Sequence, residues 1–194
     1  MNIIDLSKKV SFGRFNIIFK LYIWMTSKYR TIGVYDICKN GKHVLFLDYD
    51  KFRFEWLVNE IKYLQKKYKL SDFYIFKSSS YSFHAVCFDM LSNYLHTRVL
   101  METNIDDSFL NAMRFDYGSR VLRIFPKGRT DKPQFLKIIK SRFNKHPKSL
   151  DHIKLFENNY NIKVENKRGG ISLDEIYLIN YPTELNVNGN NPKR

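Results

Sequence analysis

The chain of 194 residues has 33 Lys and Arg against 19 Asp and Glu, a formal net charge of +14 at pH 7, and 44% hydrophobic residues. This length and composition suit one globular domain and exclude a disordered or fibrous protein, and the positive charge attracts polyanions such as nucleic acid. Two widely separated cysteines, Cys38 and Cys87, exclude a disulfide scaffold and a C-x-x-C zinc site, and favour a reducing compartment.

The most apolar segment near the start covers residues 15–25 and is interrupted by Lys20. A membrane-spanning helix needs about 20 apolar residues, so this segment is too short to cross a bilayer. Asp5 precedes the segment and no small-residue cleavage site follows it, which excludes a secretory signal peptide. The sequence therefore predicts a cytoplasmic protein with no membrane partner.

The next segments predict two strands and a helix. Residues 31–38 and 43–49 are rich in β-forming side chains, and the intervening Asn40-Gly41 predicts a hairpin with a type I′ turn. Between Phe54 and Tyr68 apolar residues recur at three- and four-residue steps, with lysines between them. This spacing predicts an amphipathic helix with a basic outer face.

The same patterns predict the remaining elements. In chain order these are strands over 72–77 and 82–90 around a serine turn, a helix over 91–101, a hairpin of 108–115 and 120–125, a helix over 135–143, and strands over 160–165 and 176–181. The order β-β-α-β-β-α-β-β-α-β-β predicts an α+β fold with sheet and helices in separate layers. In the absence of a linker or repeat, we expect one domain over 1–184 and a disordered polar tail over 185–194.

Two carboxylates end the strand predicted over 43–49, in the run Phe46-Leu47-Asp48-Tyr49-Asp50. Side chains at i and i+2 of a strand share a face, so Asp48 and Asp50 can converge on one or two divalent cations. Carboxylate oxygens suit Mg²⁺ or Mn²⁺, which are often shared with substrate phosphates. The alternative is that the pair only ends the strand and that Asp50 caps the next helix.

Further polar residues follow at the ends of later strands. Ser82 and His84 are two apart on one predicted strand and can together contact a phosphate, although a lone strand histidine can equally be structural. Asp106 can complete a metal site, and the alternative for it is a helix cap. Arg120 and Arg123 can hold a triphosphate by forked hydrogen bonds, or belong to a solvated strand.

In their order, these motifs resemble the archaeo-eukaryotic primase superfamily, whose members carry the series hhhDhD, sxH and hD before an arginine-bearing strand. The matching segments are residues 45–50, 82–84, 105–106 and 122–126. The resemblance covers residues 43–128, less than half of the chain. Asp107 is adjacent to Asp106, and Phe115-Asp116 also satisfies hD, so three residues remain open as the third carboxylate.

The resemblance implies a catalytic core with an RRM-like central antiparallel sheet, with helices packed on it. It implies a DNA primase or polymerase that joins nucleotides on a single-stranded DNA template by two-metal chemistry with Mg²⁺ or Mn²⁺. The implied metal ligands are Asp48, Asp50 and Asp106, and the implied nucleoside triphosphate contacts are Ser82, His84, Arg123 and Lys127. The sequence has no Walker A motif and no zinc-binding cysteine–histidine cluster, so a helicase or replication protein is expected as a separate partner. The size fits a minimal catalytic domain of a plasmid, virus or mobile element.

The basic face of the first helix is a candidate surface for single-stranded nucleic acid, because a charge of +14 exceeds what one triphosphate requires. Its residues are Lys62, Lys66, Lys67 and Lys69. The alternative for these lysines is an ordinary solvated helix face.

Three other classes of protein compete with the polymerase. A non-catalytic RRM-like protein that binds single-stranded nucleic acid would share the sheet and the charge, but its aromatic-rich K/R-G-F/Y-G/A-F-V-x-F/Y strand is missing from the sequence. A replication initiator that nicks DNA would need an H-x-H pair, which is also missing. A basic interaction protein without a catalytic site remains open, because degenerate motifs arise by chance.

Overall fold

Within the described residues, four strands precede the first helix, and the later strands are interspersed with helices. The computed structural model describes residues 4–12, 15–23, 30–111, 120–126, 131–165, 167–172 and 178–182. The strands within these residues are β1 (Ile4–Phe12), β2 (Phe15–Ile23), β3 (Arg30–Tyr35), β4 (His43–Tyr49), β5 (Phe73–Lys77), β6 (Phe83–Leu91), β7 (Val121–Arg123), β8 (Gln134–Ile139) and β9 (Leu178–Pro182). The helices are α1 (Phe54–Tyr68), α2 (Asn93–Leu100), α3 (Asp107–Asn111) and α4 (Leu150–Tyr160).

A four-stranded antiparallel sheet in the order β4-β6-β5-β8 forms the centre of the fold. β6 lies between β4 and β5 and is antiparallel to both, so β4 and β5 run parallel and α1 connects them. This arrangement is a split β-α-β unit. The strands predicted over 43–49, 72–77 and 82–90 are confirmed, as are the helices predicted over 54–68 and 91–101.

Helices cover both faces of this sheet. On one face, α1 buries the apolar residues Leu57, Ile61 and Leu64. On the other face, Phe156 of α4 contacts one aromatic ring on each of three strands, namely Phe46, Phe76 and Phe88. Full burial of one such side chain stabilises the fold by about 1.5–3 kcal/mol. The α+β class predicted from the sequence is therefore confirmed.

A second sheet has the order β7-β3-β9, and both outer strands are antiparallel to β3. The predicted hairpin of 31–38 with 43–49 is therefore wrong over most of its length, because β3 and β4 belong to different sheets. The two segments pair only beside the turn, where Ile37 bridges His43. The turn is not type I′, which needs positive φ at both central residues. Here Gly41 has φ 73° and Asn40 does not have a positive φ.

The helix predicted over 135–143 is also wrong, because residues Gln134–Ile139 form strand β8. The apolar positions Phe135, Ile138 and Ile139 fit a short helix as well as a strand. The open edge of β5 decides between them, since β8 pairs with β5 and the ring of Phe135 lies 5.8 Å from that of Phe76.

The hairpin predicted over 108–125 does not form as expected. The described part of its first arm belongs to helix α3, and residues 112–119 lie outside the described residues. The second arm is present as β7, but β7 pairs with β3. The reason is that the central strand of the second sheet offers β7 a long-range partner, whereas Asp106 caps a helix that includes the start of the first arm.

The C-terminal strands also differ from the prediction. Residues 160–165 are not a strand, because α4, which was not predicted, extends to Tyr160 and ends at Asn161 with a left-handed φ of 51°. The strand predicted over 176–181 overlaps β9, which pairs with β3 instead. The predicted tail over 185–194 lies outside the described residues.

At the N-terminal end, β1 and β2 form an antiparallel hairpin, and β2 occupies most of the apolar segment 15–25. Within the described residues, none of the helices has the length and hydropathy needed to cross a membrane.

Candidate functional site

Asp48 and His84 are cross-strand neighbours at the C-terminal end of β4. Their Cα atoms are register partners between β4 and β6, so the two side chains share one face of the sheet. His84 Nε2 lies 3.5 Å from Asp48 Oδ1, and the side chains are 5% and 28% exposed, respectively. The imidazole is thus buried behind a carboxylate that reaches solvent.

Asp106 joins this pair from the loop between α2 and α3. Its amide donates to the Asp48 carbonyl oxygen at 2.9 Å, and its carboxylate accepts from the Phe109 amide at 3.3 Å. Asp106 therefore lies beside Asp48 and caps α3, which confirms the helix-cap interpretation, and its role as a metal ligand stays a prediction. Two other residues are candidates for the third carboxylate. Asp107 is exposed in the first turn of α3, and Asp116 lies outside the described residues.

Glu60 on α1 holds the loop that carries Asp106, a role that the sequence did not reveal. Its carboxylate accepts from the hydroxyl of Tyr49 at 2.9 Å and from the backbone amide of Asn104 at 3.0 Å. Tyr49 is the residue that follows Asp48, and Asn104 lies two residues before Asp106. Glu60 therefore connects the helix, the end of β4 and the loop.

Asp50 lies just past the end of β4 and is exposed. The prediction that Asp48 and Asp50 share a strand face requires the strand to continue, but β4 ends at Tyr49. Lys51 then has a left-handed φ of 53°, which turns the chain away from the sheet. Asp50 is consequently placed by a turn and not by the sheet register.

The residues predicted to contact a triphosphate are only partly brought together. Ser82 is half-buried just before β6, and its carbonyl accepts from the Ser78 amide at 3.0 Å. Arg123 on β7 donates through Nη1 to the carbonyls of Phe125 and Asp131, both at 3.3 Å. Lys127 lies outside the described residues.

The His84 imidazole is uncharged at neutral pH. Burial lowers its pKa from the usual 6.5 to about 3, and the positive charge of Arg123 acts in the same direction. Its contact with Asp48 is therefore not an ion pair, and a neutral imidazole offers one N–H donor and one acceptor nitrogen. The effect of Arg123 also indicates that its guanidinium lies near His84.

The carboxylates of Asp48, Asp50 and Asp106 fit Mg²⁺ or Mn²⁺ in donor type, since all of their ligand atoms are oxygens. Two of these residues, Asp48 and Asp106, meet at the end of β4. Within the described residues, however, Asp48, Asp50 and Asp106 do not form a three-residue group with all ligand atoms inside 4.8 Å. A cation bound there would need further oxygen ligands from water or from a substrate phosphate.

The four lysines of the predicted nucleic-acid surface are all exposed, but they are not equivalent. Lys67 Nζ lies 2.6 Å from Glu102 and 2.9 Å from the Tyr63 hydroxyl, so its charge is partly compensated. Lys69 Nζ lies over the ring of Phe143, 4.5 Å from the centroid. Lys62 and Lys66 are the members with neither kind of contact among the described residues.

A second carboxylate–histidine group lies at the other end of β4 and was not predicted from the sequence. It consists of Asp36, His43 and His96, all buried. These residues come from three separate segments with no recognisable spacing, so no motif could have indicated them.

Comparisons with protein-family models, with curated proteins and with solved structures found no match to this chain.

Proposed function

We propose that the chain is a template-dependent nucleotidyltransferase, a DNA primase or polymerase of the archaeo-eukaryotic primase type that joins nucleotides on single-stranded DNA. The main support is that three motif residues, far apart in sequence, meet at one end of β4. His84 Nε2 lies 3.5 Å from Asp48 Oδ1, and the Asp106 amide is bonded to the Asp48 carbonyl. The split β-α-β unit that carries Asp48 and His84 is consistent with an RRM-like core.

The triphosphate would lie against His84 and Arg123. A neutral imidazole donates a hydrogen bond to a phosphate oxygen without adding charge, and the arginine supplies the positive charge. Within the described residues, the hydrogen bonds of Arg123 use Nη1, and Nε and Nη2 are the candidate donors to phosphate oxygens. Together the two side chains would provide one neutral and one charged donor for the triphosphate.

Asp48, Asp50 and Asp106 are the residues that would hold Mg²⁺ or Mn²⁺, and the bound cations would activate the 3′-hydroxyl and stabilise the pyrophosphate leaving group. Asp48 is fixed by the sheet, and Asp106 is fixed by its bond to the Asp48 backbone. Glu60 keeps the loop of Asp106 in place through Asn104. Asp50 is the exposed member and the most able to adjust to a substrate.

The competing RRM-like binding protein is less consistent with this sheet. Base stacking in such proteins requires aromatic side chains that are exposed on the sheet surface. Here α1 and α4 cover the faces of the sheet, and its aromatic residues within the described part of the chain are buried, except for Phe135 at 38% exposure. A stacking surface of the RRM type is therefore not available on these strands.

The experiment is incorporation of labelled nucleotides on a single-stranded DNA template with Mn²⁺ or Mg²⁺. We expect activity in the wild type, none in EDTA, and none in Asp48→Ala. Glu55→Ala is the matched control, because it removes an exposed carboxylate from the first turn of α1 and should retain activity. Incorporation in EDTA, or equal rates in wild type and Asp48→Ala, would contradict the proposal.

A further inference from the structure

The group of Asp36, His43 and His96 has the geometry of a metal site. Asp36 follows β3, His43 begins β4 and His96 lies in α2, and their exposed fractions are 0%, 3% and 0%. His43 Nδ1 lies 3.4 Å from Asp36 Oδ1, and His96 Nε2 lies 3.2 Å from Asp36 Oδ2. The two contacts use different oxygens of Asp36, and one nitrogen or oxygen atom from each of the three residues lies within 4.8 Å of the others. Ligand atoms of a tetrahedral zinc site are about 3.3–3.4 Å apart, so small movements of these side chains would complete it.

Several polar atoms of this group have no hydrogen bond within the described part of the chain. They are Asp36 Oδ2, His43 Nδ1 and His96 Nε2. Buried polar atoms are nearly always paired, because an unpaired one loses its hydration without compensation. Unpaired nitrogen and oxygen atoms that face one another are what a bound cation would satisfy.

The orientation of the group is fixed by its surroundings. The backbone amide of Arg120 donates to Asp36 Oδ1 at 2.7 Å, which is the kind of outer hydrogen bond that orients a ligating carboxylate. The two imidazole rings stack with their centroids 4.8 Å apart and an angle of 19° between their planes. The surroundings therefore hold the carboxylate of Asp36 in place beside the two imidazole rings.

We propose that Asp36, His43 and His96 bind one Zn²⁺ ion, which links the end of β3 and the start of β4 to α2. Imidazole nitrogens favour zinc over magnesium or calcium, which prefer oxygen ligands alone. The burial of all three residues leaves no approach for a substrate, so the ion stabilises the fold. His43 and Asp48 are five residues apart on β4, roughly 17 Å at the usual rise, so this site is separate from the proposed catalytic one.

The buried guanidinium of Arg120 lies near the group and opposes a cation. It offsets the charge of Asp36, and burial lowers its pKa to about 10, so it remains charged at neutral pH. We therefore expect zinc to bind more tightly in Arg120→Met than in the wild type. If the group is only a polar cluster balanced by Arg120, neither protein binds zinc specifically, and Arg120→Met is destabilised because Asp36 loses its compensating charge.

The test begins with removal of metal from the full chain by a chelator and dialysis. Zinc is then titrated into the protein in a calorimeter, and the zinc content of the protein is measured by metal analysis. We expect one zinc per chain in the wild type and affinity at least 100-fold weaker in His96→Ala and His43→Ala. His146→Ala is the matched control, because His146 is half-buried and bonded to the Tyr68 carbonyl, away from the group. Asp48→Ala should retain the zinc, which separates this site from the proposed catalytic one.

Two measurements do not depend on whether the histidine variants fold. Zinc at about 100 times its dissociation constant should raise the Tm of the wild type by roughly 5 °C or more. Co²⁺ in place of zinc should give the visible absorption of a four-coordinate site made of the three side chains and one water molecule, and Asp36→Asn should lose it. A wild type that retains no zinc and shows no shift in Tm, or a folded His96→Ala that binds zinc like the wild type, would overturn the proposal.

Discussion

The two ends of β4 carry similar residues in opposite environments. At the C-terminal end, His84 is buried but the side chain of Asp48 is 28% exposed. At the N-terminal end, the side chains of Asp36 and His96 are both 0% exposed. The comparison shows that exposure, and not residue type, separates a site that can meet a substrate from one that can only hold an ion or a proton.

The two ends also share a source of positive charge. Arg120 and Arg123 come from the same short segment around β7. Burial is the largest cause of the lowered pKa of both His84 and His96, Arg123 adds to it at His84, and His43 and then Arg120 add to it at His96. Arg120 is itself buried, whereas Arg123 is half-buried, so only the latter is able to serve a ligand from solvent.

The largest expected effect is that a variant at the C-terminal end of β4 loses activity, whereas a variant at the N-terminal end loses stability. We expect Asp48→Ala to lower nucleotide incorporation by about 10³-fold or more, because loss of a metal ligand removes several kcal/mol of charge stabilisation. His96→Ala should instead lower the Tm by about 5 °C and retain incorporation below that temperature.

Incorporation assays and thermal unfolding of both variants measure this separation. Circular dichroism verifies that Asp48→Ala is folded. If His96→Ala abolishes incorporation while folded, or Asp48→Ala unfolds, the division between the two ends is wrong.

Acid should destabilise the protein through its buried histidines. The folded pKa of His84 is about 3 and the unfolded value is 6.5, so between these values only the unfolded chain binds the proton. The free energy of unfolding therefore falls as the pH falls through this window, by up to about 4 kcal/mol for a shift of this size. Burial lowers the pKa of His96 and His152 as well, so they add to the loss.

Urea unfolding at several pH values between 7 and 4 measures the effect, with His84→Gln as the comparison. The variant cannot take up this proton, so its stability should depend less on pH than that of the wild type. Identical pH dependence in the two proteins would show that His84 is not held neutral by burial.

A smaller effect is expected on nucleotide binding. We expect His84→Ala to raise the KM for the nucleoside triphosphate about 10-fold, because one hydrogen bond to a charged phosphate contributes roughly 1.5 kcal/mol. In the wild type, the plot of kcat/KM against pH should show no change of slope near pH 6.5 that is due to His84, since the pKa of this residue is about 3. A change of slope near pH 6.5 that is present in the wild type and absent in His84→Ala would show that the imidazole titrates during turnover.

The smallest effect concerns the lysines of α1. On a single strand each phosphate contact adds about −0.7 to the slope of log affinity against log salt. We expect a slope of about −3 or steeper for the wild type, and one shallower by about 1.4 after Lys62→Glu and Lys66→Glu. Reversal of Lys67 should change it less, because Glu102 already compensates that charge.

Fluorescence titration of a labelled oligonucleotide at several salt concentrations measures these slopes. Lys154→Glu is the control, since it reverses an exposed lysine on α4. An unchanged slope in the double variant would exclude this face of α1 from the binding surface.

Local patterns predicted the elements whose periodicity is long and unambiguous. Helix α1 has fifteen residues with a regular apolar stripe, and β4, β5 and β6 are continuous apolar runs bounded by turn residues. The motif order also led to Asp48 and His84, because both lie on strands that the pattern identifies. Helix α4 also has a signal in the sequence, namely Ser149 as N-cap before apolar residues at helical spacing.

Only the tertiary structure decided how these elements pair and which polar residues meet. Residues 134–139 fit a strand or a helix, and the open edge of β5 selected the strand. Likewise, β3 pairs with β7 and β9 and not along β4, and Asp36 meets His43 and His96 through contacts between three segments. Local propensity is worth tenths of a kcal/mol per residue, whereas burial of one large apolar side chain contributes about 1.5–3 kcal/mol. Long-range burial therefore overrides local preference wherever a segment is short, and that burial brought together the residues at both ends of β4.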